Sequence, residues 1–190
     1  RMAIAKAKVC GVGMVLVRHS THFGSASYSA SQALAGGCIG VSMTNAGPEM
    51  APWGGIDGVV GTNPWAVAIP TGGGDTDMPI ILDMALTTAG KGMMRWLMRD
   101  GKKMPLNWAI TADGHSTDDP AEAMDGTLLP MGEYKGYGLS LVTDVLTGVP
   151  MVADYPSLNL GQAVMVYCYQ LASLIQIPQP PDTGTDENQL

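Results

Sequence analysis

The chain has 190 residues, a formal net charge of −7, and 46% hydrophobic against 14% charged residues, which is enough apolar material for one domain with a sizeable core and an oligomeric interface besides. An acidic balance without clustered Lys or Arg excludes a nucleic-acid partner, and no apolar run reaches the ~20 residues that cross a bilayer, so no membrane partner is expected. Residues 1–6 lack the apolar core and cleavage site of a signal peptide, which makes the cytoplasm the expected location.

In chain order, residues 1–9 predict a helix stopped by Gly11. A start in mid-helix without a cap is what a fragment of a longer chain would have. Residues 12–17 predict a strand whose last three residues are buried, 25–35 a helix ending at Gly36-Gly37, and 38–43 a second strand, together a βαβ unit. Residues 45–64 are too rich in Gly and Pro for an idle connection, and read as a functional loop or one holding a short strand at 58–60. Strands at 65–69 and 79–82, joined by a glycine-rich hairpin loop at 71–75, would add an antiparallel pair and make the sheet mixed. A helix at 87–99 should bury Met93, Met94, Leu97 and Met98, and 108–111 a short strand. A helix at 135–146 should bury Leu139, Leu141, Val142, Val145 and Leu146. Residues 163–169 predict a last strand. The fold class is therefore α/β. Residues 1–177 are expected to form one domain, and 178–190, with three prolines, a disordered or surface-draped tail.

Three separated cysteines, Cys10, Cys38 and Cys168, suggest neither a disulfide framework nor a zinc knuckle. Fourteen methionines against one phenylalanine give flexible Met the task of filling core gaps.

The chemistry-bearing stretch is Arg18-His19-Ser20-Thr21-His22-Phe23-Gly24, on the turn between the first strand and its helix, where open α/β sheets bind ligands. No Cys, Asp or Glu nearby completes a metal set with His19 and His22, so no metal is expected. His22 is either an acid/base group, since an imidazole changes protonation near neutrality, or a structural loop residue. Gly11-Val12-Gly13 lacks the third glycine and the following helix of a Rossmann fingerprint, and Gly132-Glu133-Tyr134-Lys135-Gly136 is no Walker loop. Any dinucleotide would be bound by other means.

That histidine stretch, then Thr44-Asn45, Gly61-Thr62-Asn63-Pro64, Leu82-Asp83-Met84-Ala85, Thr117-Asp118-Asp119-Pro120 and Leu129-Pro130-Met131-Gly132-Glu133-Tyr134-Lys135-Gly136, resemble in the same order the malate/L-lactate dehydrogenase family, which also contains ureidoglycolate and sulfolactate dehydrogenases. The resemblance implies a three-layer α/β/α fold with a mixed sheet, distinct from the Rossmann type. It also implies a homodimer, NAD or NADP as cofactor, and hydride transfer between a 2-hydroxy acid and the nicotinamide. On the matching positions His22 would be the proton acceptor. Asp83, Met84 and Ala85 would line the cofactor site, and Lys135 and Gly136 would lie beside the dinucleotide. Asn45, Ala46 and Thr62 fit the same cleft, with Ala46 where some members place a cofactor-contacting serine, and Asn63 fits either that cleft or the turn before Pro64.

The family's N-terminal helical region, with its Arg and Ser-His-Gly motif, has no counterpart here. Glu133 stands in place of a usual glycine, and the chain shortens between Val149 and Asn159. A dehydrogenase and a catalytically silent binding or assembly module are the two readings open at this point.

Overall fold

The computed structural model describes residues 1–17, 20–71, 78–147 and, as backbone, 164–170. His19, most of the expected hairpin loop at 71–75 and the tail at 178–190 lie outside the described residues.

Helices are α1 (Met2–Cys10), α2 (Ala26–Ser31), α3 (Lys91–Arg99), α4 (Pro120–Asp125) and α5 (Tyr134–Thr147). Strands are β1 (Val12–Val17), β2 (Cys38–Met43), β3 (Trp65–Ile69), β4 (Ile80–Met84), β5 (Ala109–Ile110), β6 (Thr127–Leu128) and β7 (Val164–Gln170). Five of the strands form one sheet in the order β1-β7-β2-β3-β4, and β5 pairs with β6. Every ladder among them is antiparallel, which corrects the expected mixed sheet. The physical reason is the late strand: β7 pairs with both β1 and β2, so these two run parallel to each other around α2 but never touch. The predicted βαβ unit is thus a split one.

Strand register explains how the helices sit. Gly13 and Gly40 both pair with position 168, and Gly40 also pairs with Ala68, so these positions share one face of the sheet. A Cβ on Gly13 would strike the backbone of α1 at Ala3 and Ala7, and one on Gly40 would strike α2 at Ala30. Both helices therefore lie on that face at backbone distance, and the core there is made of small residues: Ala3, Ala7, Ala33 and Cys38 under α1, and Ala26, Ala30, Ala66 and Ala68 under α2. The other face of the sheet carries Met14 and Leu82, both exposed, with Val41 and Val67 half-buried between them. Trp65 lies on the same side as Val67, and its Nε1 donates to Thr143 Oγ1 of α5 at 2.7 Å.

The expectation that the strand end is buried is corrected: alternation turns Leu16 to the open face, and Val17 on the helix side is left uncovered at the strand's end. Val15 is half-buried against α1, but Leu16 and Val17 are exposed. Methionine does fill a core, though a separate one, where Met94 and Leu97 of α3 meet Met104, Ala109, Ala123 and Leu128. Met93 and Met98, expected on the same face, are exposed. That helix starts at Lys91 rather than 87 because Thr87 is bridged to Pro130 and the Thr88 N–H is taken by the Leu129 carbonyl. The strand expected at 58–60 is reduced to a single bridge between Val60 and Met50. Helix α4 was not foreseen, although its start is marked: Asp119 accepts from Ala121 N at 2.7 Å and Pro120 occupies the first turn.

Helix α5 is turned the opposite way from its apolar pattern. Gly136, Ser140 and Thr143 are buried, whereas Leu141, Val142 and Leu146 are exposed. Spacing of four and three residues puts the buried trio on one helical stripe, so the inward stripe is the small, polar one.

Candidate active site

The loop at 61–63 is the point on which the separated motifs converge. Thr62 offers its carbonyl to Leu86 N at 2.7 Å, Leu86 offers its own to Met131 N at 3.0 Å, and Met131 in turn accepts from Gly136 N at 3.0 Å. Through this backbone relay the segment Asp83-Met84-Ala85, which leads directly into buried Leu86, is held beside the first turn of α5. Gly136 is required there. A Cβ would overlap the Met131 carbonyl and lie 2.7 Å from the Leu86 carbonyl oxygen, so no larger residue fits without separating the two segments.

Asn63 is fully buried and has φ 36, in the left-handed region that asparagine tolerates better than other side chains. Its Oδ1 accepts from Ala46 N at 2.8 Å, and its Nδ2 donates to the Ser140 carbonyl at 3.0 Å and to Ser140 Oγ at 2.8 Å. Ser140 Oγ donates its own hydrogen bond to the Gly61 carbonyl at 2.8 Å. Asp144, a turn further along α5, is pushed toward higher pKa by burial, an effect only partly offset by hydrogen bonds from the Asn63 side chain and the Gly61 backbone.

Of the residues singled out in the sequence, Ala46, Thr62, Asn63 and Gly136 are bonded into this cluster, and Asn45 and Ala85 adjoin it in the chain, next to Ala46 and Leu86. Asn45 is buried, and its Oδ1, like Thr87 Oγ1, has no partner among the described residues. Each such orphan costs roughly 1–3 kcal/mol, which a ligand hydroxyl or amide at hydrogen-bonding distance would relieve. Met84 is half-buried opposite Trp65 in the sheet register, and Lys135 is exposed at the start of α5.

His22 stands on the turn between β1 and α2 and is exposed. Its Nδ1 accepts from Gly24 N at 3.0 Å, and Gly24 has φ 82, a conformation natural to glycine. In a neutral ring that contact leaves the remaining proton on Nε2. The turn is tied to the sheet by Asp83, whose Oδ2 accepts from Ser25 Oγ at 2.6 Å and from Ser27 N at 2.9 Å. Partial burial raises the Asp83 pKa, but the bonds from Ser25 and Ser27 outweigh it and hold the carboxyl below its ordinary value. Sequence reading missed Ser25, Ser140 and Asp144. The available signal was the Gly136-Ser140-Thr143 stripe, which a search for apolar periodicity passes over.

Among the described residues no group of three His, Cys, Asp or Glu could hold a metal ion, and no helix is long and apolar enough to cross a membrane.

An antiparallel α/β scaffold with an exposed histidine turn and a hydrogen-bonded cluster of loop backbone against α5 is what the chain presents, and comparison gives its family. The sequence model described as Malate/L-lactate dehydrogenase matches residues 1–156. A malate dehydrogenase of Pyrococcus horikoshii is 44% identical over 157 residues, covering 78% of this chain and 42% of the relative. A ureidoglycolate dehydrogenase (NAD(+)) of Escherichia coli O157:H7 is 37% identical over 147 residues, 77% of this chain and 41% of the relative. The crystal structure of malate dehydrogenase from Entamoeba histolytica superposes with a TM-score of 0.81 at 30% identity, over 92% of this chain and 54% of that one. The chain belongs to the malate/L-lactate dehydrogenase family, and it spans about half the length of the relatives it matches.

Proposed function

We propose that this chain is the cofactor-binding core of an NAD(P)-dependent dehydrogenase that interconverts a 2-hydroxy acid of malate or lactate type and its 2-oxo acid. The observation that carries the reading is the convergence of Ala46, Thr62, Asn63, Gly136 and Leu86, which directly follows Asp83-Met84-Ala85, from four segments far apart in sequence on one hydrogen-bonded cluster. The residues fit a dinucleotide: the polar atoms Asn45 Oδ1 and Thr87 Oγ1, without partners among the described residues, suit ligand hydroxyls or amides, and the exposed cation of Lys135 suits a phosphate. The finer fold reading, a three-layer non-Rossmann architecture, is supported by α1 and α2 on one face, by Thr143 of α5 against Trp65 on the other, and by the antiparallel sheet.

The nicotinamide, when bound, supplies the hydride acceptor or donor. His22 handles the proton. In the contact seen here its Nε2–H is a donor suited to a substrate carbonyl oxygen, and taking a proton from an alcohol requires the Nδ1 contact to Gly24 to be exchanged so that Nε2 offers its lone pair. Asp83 acts through position: its carboxylate holds Ser25 and Ser27, and with them the turn three residues from His22. Residues 1–177 would act as one unit in a cytoplasmic homodimer, a reading that the exposed apolar residues of β1 and β4 favour.

Titration of the protein with NADH and with NADPH, followed by nucleotide fluorescence, tests the reading. Saturable binding of either is expected, and no binding of both at millimolar concentration overturns it.

A further inference from the structure

We propose that Asn63 and Ser140 are a positioning pair of the cofactor site, a buried amide and hydroxyl that fix α5 so that Lys135 and Gly136 meet the dinucleotide in register. The inference rests on the dehydrogenase reading and adds to it a task for residues that do not touch the ligand. Asn63 offers no free polar atom to a cofactor, since Oδ1 is held by Ala46 N and Nδ2 by the carbonyl and hydroxyl of Ser140. These contacts join the strand-end segment at 45–46 to α5, reaching 17 residues back to Ala46 and 77 residues forward to Ser140. Ser140 lies one turn beyond Gly136 on the same inward stripe, and its hydroxyl also binds the Gly61 carbonyl.

The loop at 61–63 thus grips α5 twice, through the Leu86–Met131 relay at Gly136 and directly at Ser140. Two grips one turn apart determine both the distance and the rotation of the helix, and rotation decides where the Lys135 ammonium points. The apolar stripe of α5 cannot supply this register, because Leu141, Val142 and Leu146 face away from the loop. Asp144 completes the network on its far side, sharing the Asn63 and Gly61 donors. The left-handed φ of Asn63 is the geometry that aims one side chain at both Ala46 and α5.

The test is a double-mutant cycle on the full chain, read as NADH or NADPH dissociation constants with thermal melting as the fold control. Asn63→Gly accepts the same backbone and loses only the amide. It should weaken cofactor binding by roughly 10-fold, as expected for a displaced charge-assisted contact. If the pair acts through Lys135, the double variant Asn63→Gly/Lys135→Ala should bind within about twofold of Lys135→Ala alone. A merely structural role lowers the melting temperature and leaves the two effects on binding additive. Should Asn63→Gly fail to fold, Ser140→Ala in the same cycle carries the same expectation. Wild-type affinity in the folded variant, additivity with Lys135→Ala, or a Lys135→Ala protein that binds as wild type each overturns the proposal while leaving the dehydrogenase reading intact. A wild-type protein that binds neither nucleotide overturns both.

Discussion

The turn that carries His22 and the loop that carries Asn63 are held in opposite ways. His22 is exposed and its bond among the described residues reaches two residues along the chain, while Asn63 is buried and its bonds reach 17 and 77 residues. Over a long range the turn is anchored by the Asp83 carboxylate, 58 residues from Ser25, and by Phe23, packed against the cluster of Ala26, Ala30, Ala66 and Ala68. A side chain held at both ends from distant segments is preorganised, whereas one held by its own turn can change contacts at little cost. The cluster around Asn63 is accordingly suited to hold a cofactor in place, and the turn is suited to exchange a proton.

Five substitutions would break or sharpen that contrast. The largest effect is expected at the turn: His22→Ala should lower turnover by ~100-fold or more, the usual contribution of a general acid/base, with cofactor affinity nearly unchanged. Steady-state kinetics beside a nucleotide titration checks it, and a variant with wild-type kcat would return His22 to a structural role. Next comes the buried cluster, where Gly136→Ala must push α5 away from the Met131 and Leu86 carbonyls, at a cost of about 1–3 kcal/mol in denaturant unfolding together with weaker cofactor binding. Unchanged stability would mean that the two segments are not in backbone contact.

Glu133 gives a smaller effect of the other sign. It has φ 61 directly after Gly132 at φ 58, so the position asks for glycine and the glutamate bears a left-handed backbone. Glu133→Gly should stabilise the protein by roughly 1 kcal/mol in the same unfolding measurement. The side chain is exposed and the backbone already adopts the conformation a glycine would take, so this departure from the family pattern leaves the Lys135-Gly136 corner in place.

The smallest effect compares the two carboxylates by pH. Asp144 has a raised pKa from burial, so its folded form binds protons more tightly than the unfolded chain, and stability falls as pH rises from the ordinary carboxylate value through the raised one. Asp83 has a lowered pKa, the hydrogen bonds from Ser25 and Ser27 outweighing burial. Its contribution is present above the ordinary value of 3.8 and is lost as pH falls through the folded one. Melting curves should therefore show Asp144→Asn gaining stability relative to wild type at pH ~7 and not at pH ~3, while Asp83→Asn loses stability at pH ~7 and less at pH ~3. The same pH trend in both variants would contradict the assigned environments.

His22 was legible because its turn is local. An apolar run, a polar break and a short helix follow one another within twenty residues, and Gly24 supplies the left-handed corner. The link from Asp83 to that turn was not legible, since nothing in Leu82-Asp83-Met84 says that its partner is Ser25. Asn63 was read as either cofactor contact or turn residue. Its left-handed φ is turn chemistry, yet its side chain serves neither a local turn nor a free cleft but a helix 77 residues away.

What the sequence determined by itself is everything that depends on near neighbours: the strands at 12–17, 38–43 and 65–69 appear where alternation and glycine stops put them, and the ordered motifs identified the family. Strand order and the inward face of α5 were decided by tertiary structure. Strand β7 enters between β1 and β2 from the far end of the chain, a pairing whose energy belongs to residues more than a hundred positions apart and leaves no periodic trace. Helix α5 presents Gly136, Ser140 and Thr143 inward because backbone approaches that close admit only small side chains, and because each buried polar group there has a partner from another segment. Apolar periodicity measures transfer from water and is blind to both conditions, so it chose the wrong face.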